Sequence, residues 1–182
     1  MAINMHQENI IAAQTLTKTY GKNRGISGIN LDVRKGEVFG YLGPNGAGKT
    51  TTIRLLLDFI RPSSGSASIF GLDTERSSVA IHRRLGYLPG ELAVYADLTG
   101  GELLKYEANI RGGVDWSFVD TLVKRLEADL KRKLRTLSHG NRQKIGLIQA
   151  FMHQPELVIL DEPTTGLDPL MQQEFYHLVE EA

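Results

Sequence analysis

Gly43-Pro44-Asn45-Gly46-Ala47-Gly48-Lys49-Thr50 fits the pattern G-x-x-x-x-G-K-[ST], and its flanks decide how it is read. Ahead of it, EVFGYLG at 37–43 is short, mostly apolar and reads as a strand. Behind it, TTIRLLLDFI at 51–60 has helical spacing and stops at Arg61-Pro62-Ser63-Ser64-Gly65. Strand, glycine loop and helix in that order predict backbone amides turned inward around phosphate oxygens, with a helix N-terminus adding positive potential. In such a loop Lys49 reaches the β- and γ-phosphates of a nucleotide, and Thr50, with Thr51 next to it, stands where Mg²⁺ is ligated.

A second stretch supports this reading. Leu157-Val158-Ile159-Leu160-Asp161-Glu162 ends an apolar run in two adjacent carboxylates. Apolar without alternation, ELVIL at 156–160 is predicted to be a fully buried strand, and α/β folds place ligands beyond the C-terminal ends of such strands. Asp161 is then the carboxylate for the metal. Glu162 is the group that orients or deprotonates a water attacking the γ-phosphorus in line.

Working outward, NIIAAQTLT (9–17) and ISGINLDV (26–33) read as strands separated by a turn at Tyr20-Gly21-Lys22-Asn23, and SASIFG (66–71) as another. RRLGYLP is a short strand reached from a helix-like SSVAIHR. Thr99-Gly100-Gly101-Glu102 matches a capping box, and Gly112-Gly113 ends the helix it opens. Further helices are expected at 115–128, where Phe118, Leu122 and Leu126 form a stripe, at 140–153, and from Pro169 onward. The bulk numbers restrict the chemistry: 182 residues with equal acidic and basic counts carry no field for a polyanion, so nucleic acid is not the expected partner. The absence of cysteine excludes disulfides, thiolate zinc sites and cysteine nucleophiles. No run reaches the ~18 apolar residues of a membrane span, so a membrane connection would pass through another chain. The basic cluster Lys131, Arg132, Lys133 and Arg135 reads as a solvated face.

With these residues in view, the chain resembles the ATP-binding cassette ATPase family along its whole length. GPNGAGKT is similar to its Walker A, LVILDEPTTGLD to its Walker B and D-loop, and Leu137-Ser138-His139-Gly140-Asn141 to its LSGGQ signature. The resemblance implies an α/β, RecA-like P-loop NTPase core with an N-terminal antiparallel β-subdomain and an inserted helical subdomain. Its implied bounds are 1–88 and 144–182 for the core with the β-subdomain, and 89–143 for the helical one, in one domain that is incomplete at its C-terminus. It implies ATP and Mg²⁺ as ligands, and a head-to-tail homodimer or heterodimer in which Ser138, Gly140 and Asn141 of one subunit cap the nucleotide of the other. Tyr20 matches the aromatic that stacks on adenine, and Asp168 the aspartate that acts across the dimer. A separate transmembrane permease on the cytoplasmic face of a membrane completes the implied assembly.

Two departures from the family pattern stand out. Tyr87-Leu88-Pro89-Gly90-Glu91 has glycine where the family has glutamine, which makes Glu91 the candidate to approach Mg²⁺ or the water. The family's switch histidine follows a further strand, and His177 lies in the preceding helix, so the chain is expected to be cut short and to turn over ATP slowly, if at all. GYLPGE and LSHGNRQK are similar to drug- or antibiotic-export cassettes. A soluble ribosome- or DNA-associated member, or a fragment that binds nucleotide without turnover, remain the alternatives.

Overall fold

The computed structural model describes residues 9–21, 23–90 and 95–182. The chain divides into two compact units, residues 1–82 and 83–182.

The first unit is built on an antiparallel sheet of order β2-β1-β3-β4, formed by β1 (Asn9–Tyr20), β2 (Asn23–Arg34), β3 (Ser64–Ile69) and β4 (Leu72–Asp73). The hairpin of β1 and β2 closes at Tyr20 opposite Asn23. Along β1 the buried positions are Ile10, Ile11, Ala13 and Leu16, so the alternation from Ile11 to Ala13 is interrupted before Leu16. Thr15 supplies the break: its φ is 46°, its N–H donates to Asn30 Oδ1 at 2.9 Å, and the register with β2 shifts across 13–16. This extra residue restores Leu16 to the core face after the bulge. Gly65 of β3, itself at φ +83°, lets the neighbouring strand approach, since a Cβ there would collide with the carbonyls of Gln14 and Thr15.

Helix α1 (Lys49–Leu56) buries Thr52, Leu55 and Leu56 and ends at Leu57, before Asp58 at φ 57°. The expected strand at 37–43 does not form. These residues join neither hydrogen-bonded sheet, and Val38 and Leu42 are 75% and 92% exposed. An apolar run makes a strand only when a neighbour takes its N–H and C=O groups, and among the described residues no strand pairs with 37–43.

Helix α2 (Ser78–Arg84) leads into the second unit, where β5 (Leu85–Leu88) and β6 (Leu157–Leu160) pair in parallel from Leu85↔Leu157 to Leu88↔Leu160. Between them in sequence come α3 (Gly100–Arg111), α4 (Trp116–Arg125) and α5 (His139–Phe151), and α6 (Pro169–Glu181) follows. Helix α3 starts at the capping box expected from the sequence, and side chains also cap α4, α5 and α6. Thr99 and Glu102 form the reciprocal capping box, Asp115 accepts from the amides of Ser117 and Phe118, and Gly112 ends α3 in a left-handed turn. One apolar cluster joins them: Leu104 of α3, Leu122 of α4, Ile145, Leu147 and Ile148 of α5, and Met171, Phe175 and Leu178 of α6. Helix α5 lies directly on β5, because a Cβ on Gly86 would strike the carbonyl of Ala150. Strand β6 departs from the expectation of full burial, with only Ile159 buried, since a two-stranded sheet covered by α5 leaves its other edges open.

Just beyond α5, His153 donates from Nε2 to the carbonyl of Leu85 at 3.1 Å, while Nδ1 is buried with no hydrogen-bond partner among the described residues. Burial first, and then the nearby Arg111 charge, push its pKa down to about 4. The unfolded chain therefore binds a proton between about pH 6.5 and 4 that the folded chain refuses, so stability falls as pH falls through that window. Allowing for solvent screening of a partly buried ring, the loss is about 1–2 kcal/mol. Urea denaturation at pH 7 and pH 4.5 should show a larger drop for the native chain than for His153→Gln; equal drops would contradict this assignment.

Candidate functional site

In the first unit, the loop at 43–50 is shaped by its glycines. Gly46 and Gly48 take φ of 81° and 92°, and Gly48 also faces Ile26, whose Cγ2 a Cβ would overlap. The turn is closed by Ala47 N–H donating to the Pro44 carbonyl at 3.1 Å. Lys49 Nζ folds back to donate to the carbonyls of Gly43 at 2.7 Å and Pro44 at 3.1 Å. Thr52 anchors the first turn from inside, buried, with its hydroxyl donating to the Gly48 carbonyl. No side chain caps α1 and no acidic residue stands in its first turn, so its leading amides face outward under the helix dipole. The donor set suits a polyphosphate, with Thr50 as the hydroxyl that would help hold Mg²⁺.

Tyr20 belongs to the same unit and is 49% exposed. Its ring lies over Gly25, where a Cβ would come within 2.9 Å of the ring carbon Cε2, and Gly25 precedes the Ile26 that abuts Gly48. Lys18 Nζ stands 5.5 Å from the ring centroid and is held by the Arg61 carbonyl. The aromatic is thus presented, half exposed, on the sheet end that meets the loop.

In the second unit, Asp161 extends the parallel ladder by one bond, its N–H donating to the Leu88 carbonyl at 2.9 Å, and is only 6% exposed. Gly90 sits opposite: a Cβ there would lie 3.6 Å from Cγ and Oδ2 of Asp161, an ordinary contact, so space is not what excludes a side chain at that position. Glu91 lies outside the described residues. Glu162 is exposed and has φ 51°, a left-handed conformation costing a non-glycine residue about 1–2 kcal/mol. The turn it opens is closed by Thr165 N–H donating to the Glu162 carbonyl.

Ser138 is the N-cap of α5 and accepts from Asn141 N–H at 3.3 Å and from Asn141 Nδ2 at 3.2 Å. Asp168 caps α6 by accepting from Leu170 and Met171 amides at 3.1 and 3.0 Å. Gly140 packs against the carbonyl of Gly166, and the His139 ring covers the open face of Gly166. Tyr20 and the loop at 43–50 therefore meet in one unit, and Ser138, Gly140, Asn141, Asp161, Glu162 and Asp168 gather in the other. The sequence reading missed Gln143, a buried side chain that donates to the carbonyls of Glu162 and Pro163. Its signal was a glutamine one helical turn before Leu147, on the apolar face of α5.

Residues 26–165 match the family described as "ABC transporter". The chain belongs to the ABC transporter family. It is 40% identical over 172 residues to the bacitracin transport ATP-binding protein BcrA of Bacillus licheniformis, covering 93% of this chain and 56% of that protein. It is 34% identical over 174 residues to the probable multidrug ABC transporter ATP-binding protein YbhF of Escherichia coli, covering 93% of this chain and 30% of that one. A solved structure described as the ATP-binding subunit of an ABC transporter superposes with a TM-score of 0.82 at 28% identity, covering 94% of this chain and 74% of the other. The α/β fold of the ABC ATPase is thereby shown. The chain spans about half the length of BcrA. No helix among the described residues is long and apolar enough to cross a membrane.

Proposed function

We propose that this ABC transporter chain binds and hydrolyses Mg-ATP as the nucleotide-binding subunit of an exporter, and drives a separate membrane permease from the cytoplasmic face. The observation that carries the reading is the uncapped N-terminus of α1 behind the left-handed Gly46 and Gly48, with Lys49 beside it. Amides of 43–50 take the phosphates, Lys49 neutralises the β/γ charge, and Tyr20 stacks on the base. Thr50 and Asp161 would be the residues to hold Mg²⁺, which when bound would supply Lewis-acid stabilisation of negative charge. Glu162 accepts a proton from the attacking water. Ser138, Gly140 and Asn141 serve the nucleotide of a second cassette in a head-to-tail dimer, with Asp168 beside them, and Glu91 takes the part of the missing glutamine.

The likeness to bacitracin and multidrug transport proteins favours export, and the transported molecule is recognised by the permease. Turnover by the chain alone is expected to be slow, because among the described residues 37–43 lead into the phosphate loop without a ladder partner. Equilibrium binding of Mg-ATP to the chain, and its co-purification with a membrane protein encoded beside it, test the two halves of the proposal. A chain that binds no Mg-ATP ends the first half. One that instead travels with ribosomes ends the second.

A further inference from the structure

We infer that Gln143 is the positioning residue of Glu162, tying the start of α5 to the water-activating carboxylate of the same subunit. The inference rests on the ATPase reading above.

Gln143 is 2% exposed, and its side-chain amide nitrogen lies 3.2 Å from the Glu162 carbonyl and 3.1 Å from that of Pro163. Both partners are acceptors, so the nitrogen must be the atom that faces them and the side chain has one usable orientation. It holds the main chain at the point where Glu162 takes its left-handed φ of 51°, a conformation that persists only when the surroundings enforce it. One turn earlier on α5, Gly140 and His139 grip Gly166 at the far end of the same turn. The first five residues of α5 therefore hold both ends of 162–166, and the bond from Thr165 to Glu162 makes that turn move as one piece. Ser138 and Gly140, the residues assigned to a second cassette's nucleotide, stand at the start of this helix. A shift of the α5 N-terminus is passed through Gln143 to the carboxylate of its own subunit, so engagement of one nucleotide sets the readiness of the other.

The test is a double-mutant cycle on the full chain with its permease. Gln143→Met keeps volume and burial but donates no hydrogen bond. It should lower kcat about tenfold to a hundredfold, the scale set by small misplacements of a reacting group, with KM and Mg-ATP affinity within about twofold. In the Glu162→Gln background the same change should cost nothing further. Gln143→Asn, which keeps an amide one methylene short, should lose less than the Met variant in the native background. Losses that multiply across the two positions, or equal losses for Met and Asn, overturn the positioning role and leave the ATPase reading standing. If Glu162→Gln alone leaves turnover intact, it is the reading of Glu162 that fails. Thermal midpoints of each variant identify any that do not fold, and a fall in folded fraction matching the fall in kcat also overturns the inference.

Discussion

Glu162→Gln should lower ATP turnover by about 10²- to 10⁴-fold while Mg-ATP affinity stays within about threefold. The substitution keeps the shape of the side chain and removes only its ability to take a proton. The main chain at 162 is fixed by Gln143 and by the turn to Thr165, neither of which involves the Glu162 side chain. The side chain itself is exposed, so the thermal midpoint should be unchanged. Phosphate release at saturating Mg-ATP, measured beside equilibrium binding, separates the two quantities. Turnover within threefold of the native chain would remove Glu162 from the chemistry and shift attention to Glu91.

Lys49→Ala should weaken Mg-ATP binding by about tenfold to a hundredfold, with ADP affected less because it lacks the γ-phosphate. The magnitude follows from a charge-assisted hydrogen bond, about 1.5–3 kcal/mol. Lys49 Nζ now donates to the carbonyls of Gly43 and Pro44, and binding exchanges those partners for phosphate oxygens. Gly43 and Pro44 are exposed, so water replaces the lost donor in the variant and folding stability should change by less than about 0.5 kcal/mol. Titration with a fluorescent nucleotide reads the affinity; an unchanged dissociation constant would remove the phosphate loop as the binding site.

Much of the fold was legible because its signals are local. Caps at Thr99, Asp115 and Ser138 depend on side chains reaching amides two or three residues away, and a sequence states those spacings directly. The helix after the phosphate loop, the hairpin turn and the stop at Gly112 follow from backbone preferences of single residues. Failures came where pairing decides the outcome. EVFGYLG has the composition of a strand and lies unpaired, and ELVIL has the composition of a buried strand and is mostly half-buried. The bulge at Thr15 escaped notice because nothing in the local sequence announces a left-handed threonine.

What the sequence by itself determined is the family, and with it which residues are candidates to hold phosphate, metal and water. Those assignments rest on residue types at fixed short spacings, and on covalent order alone. The tertiary structure decided how the groups are held. Gln143 meets carbonyls 19 and 20 residues further along, and His139 covers Gly166, because the packing of α5 against β5 and β6 brings distant segments together. Such contacts are set by the close packing of side chains across the core, a property that no window of neighbouring residues contains.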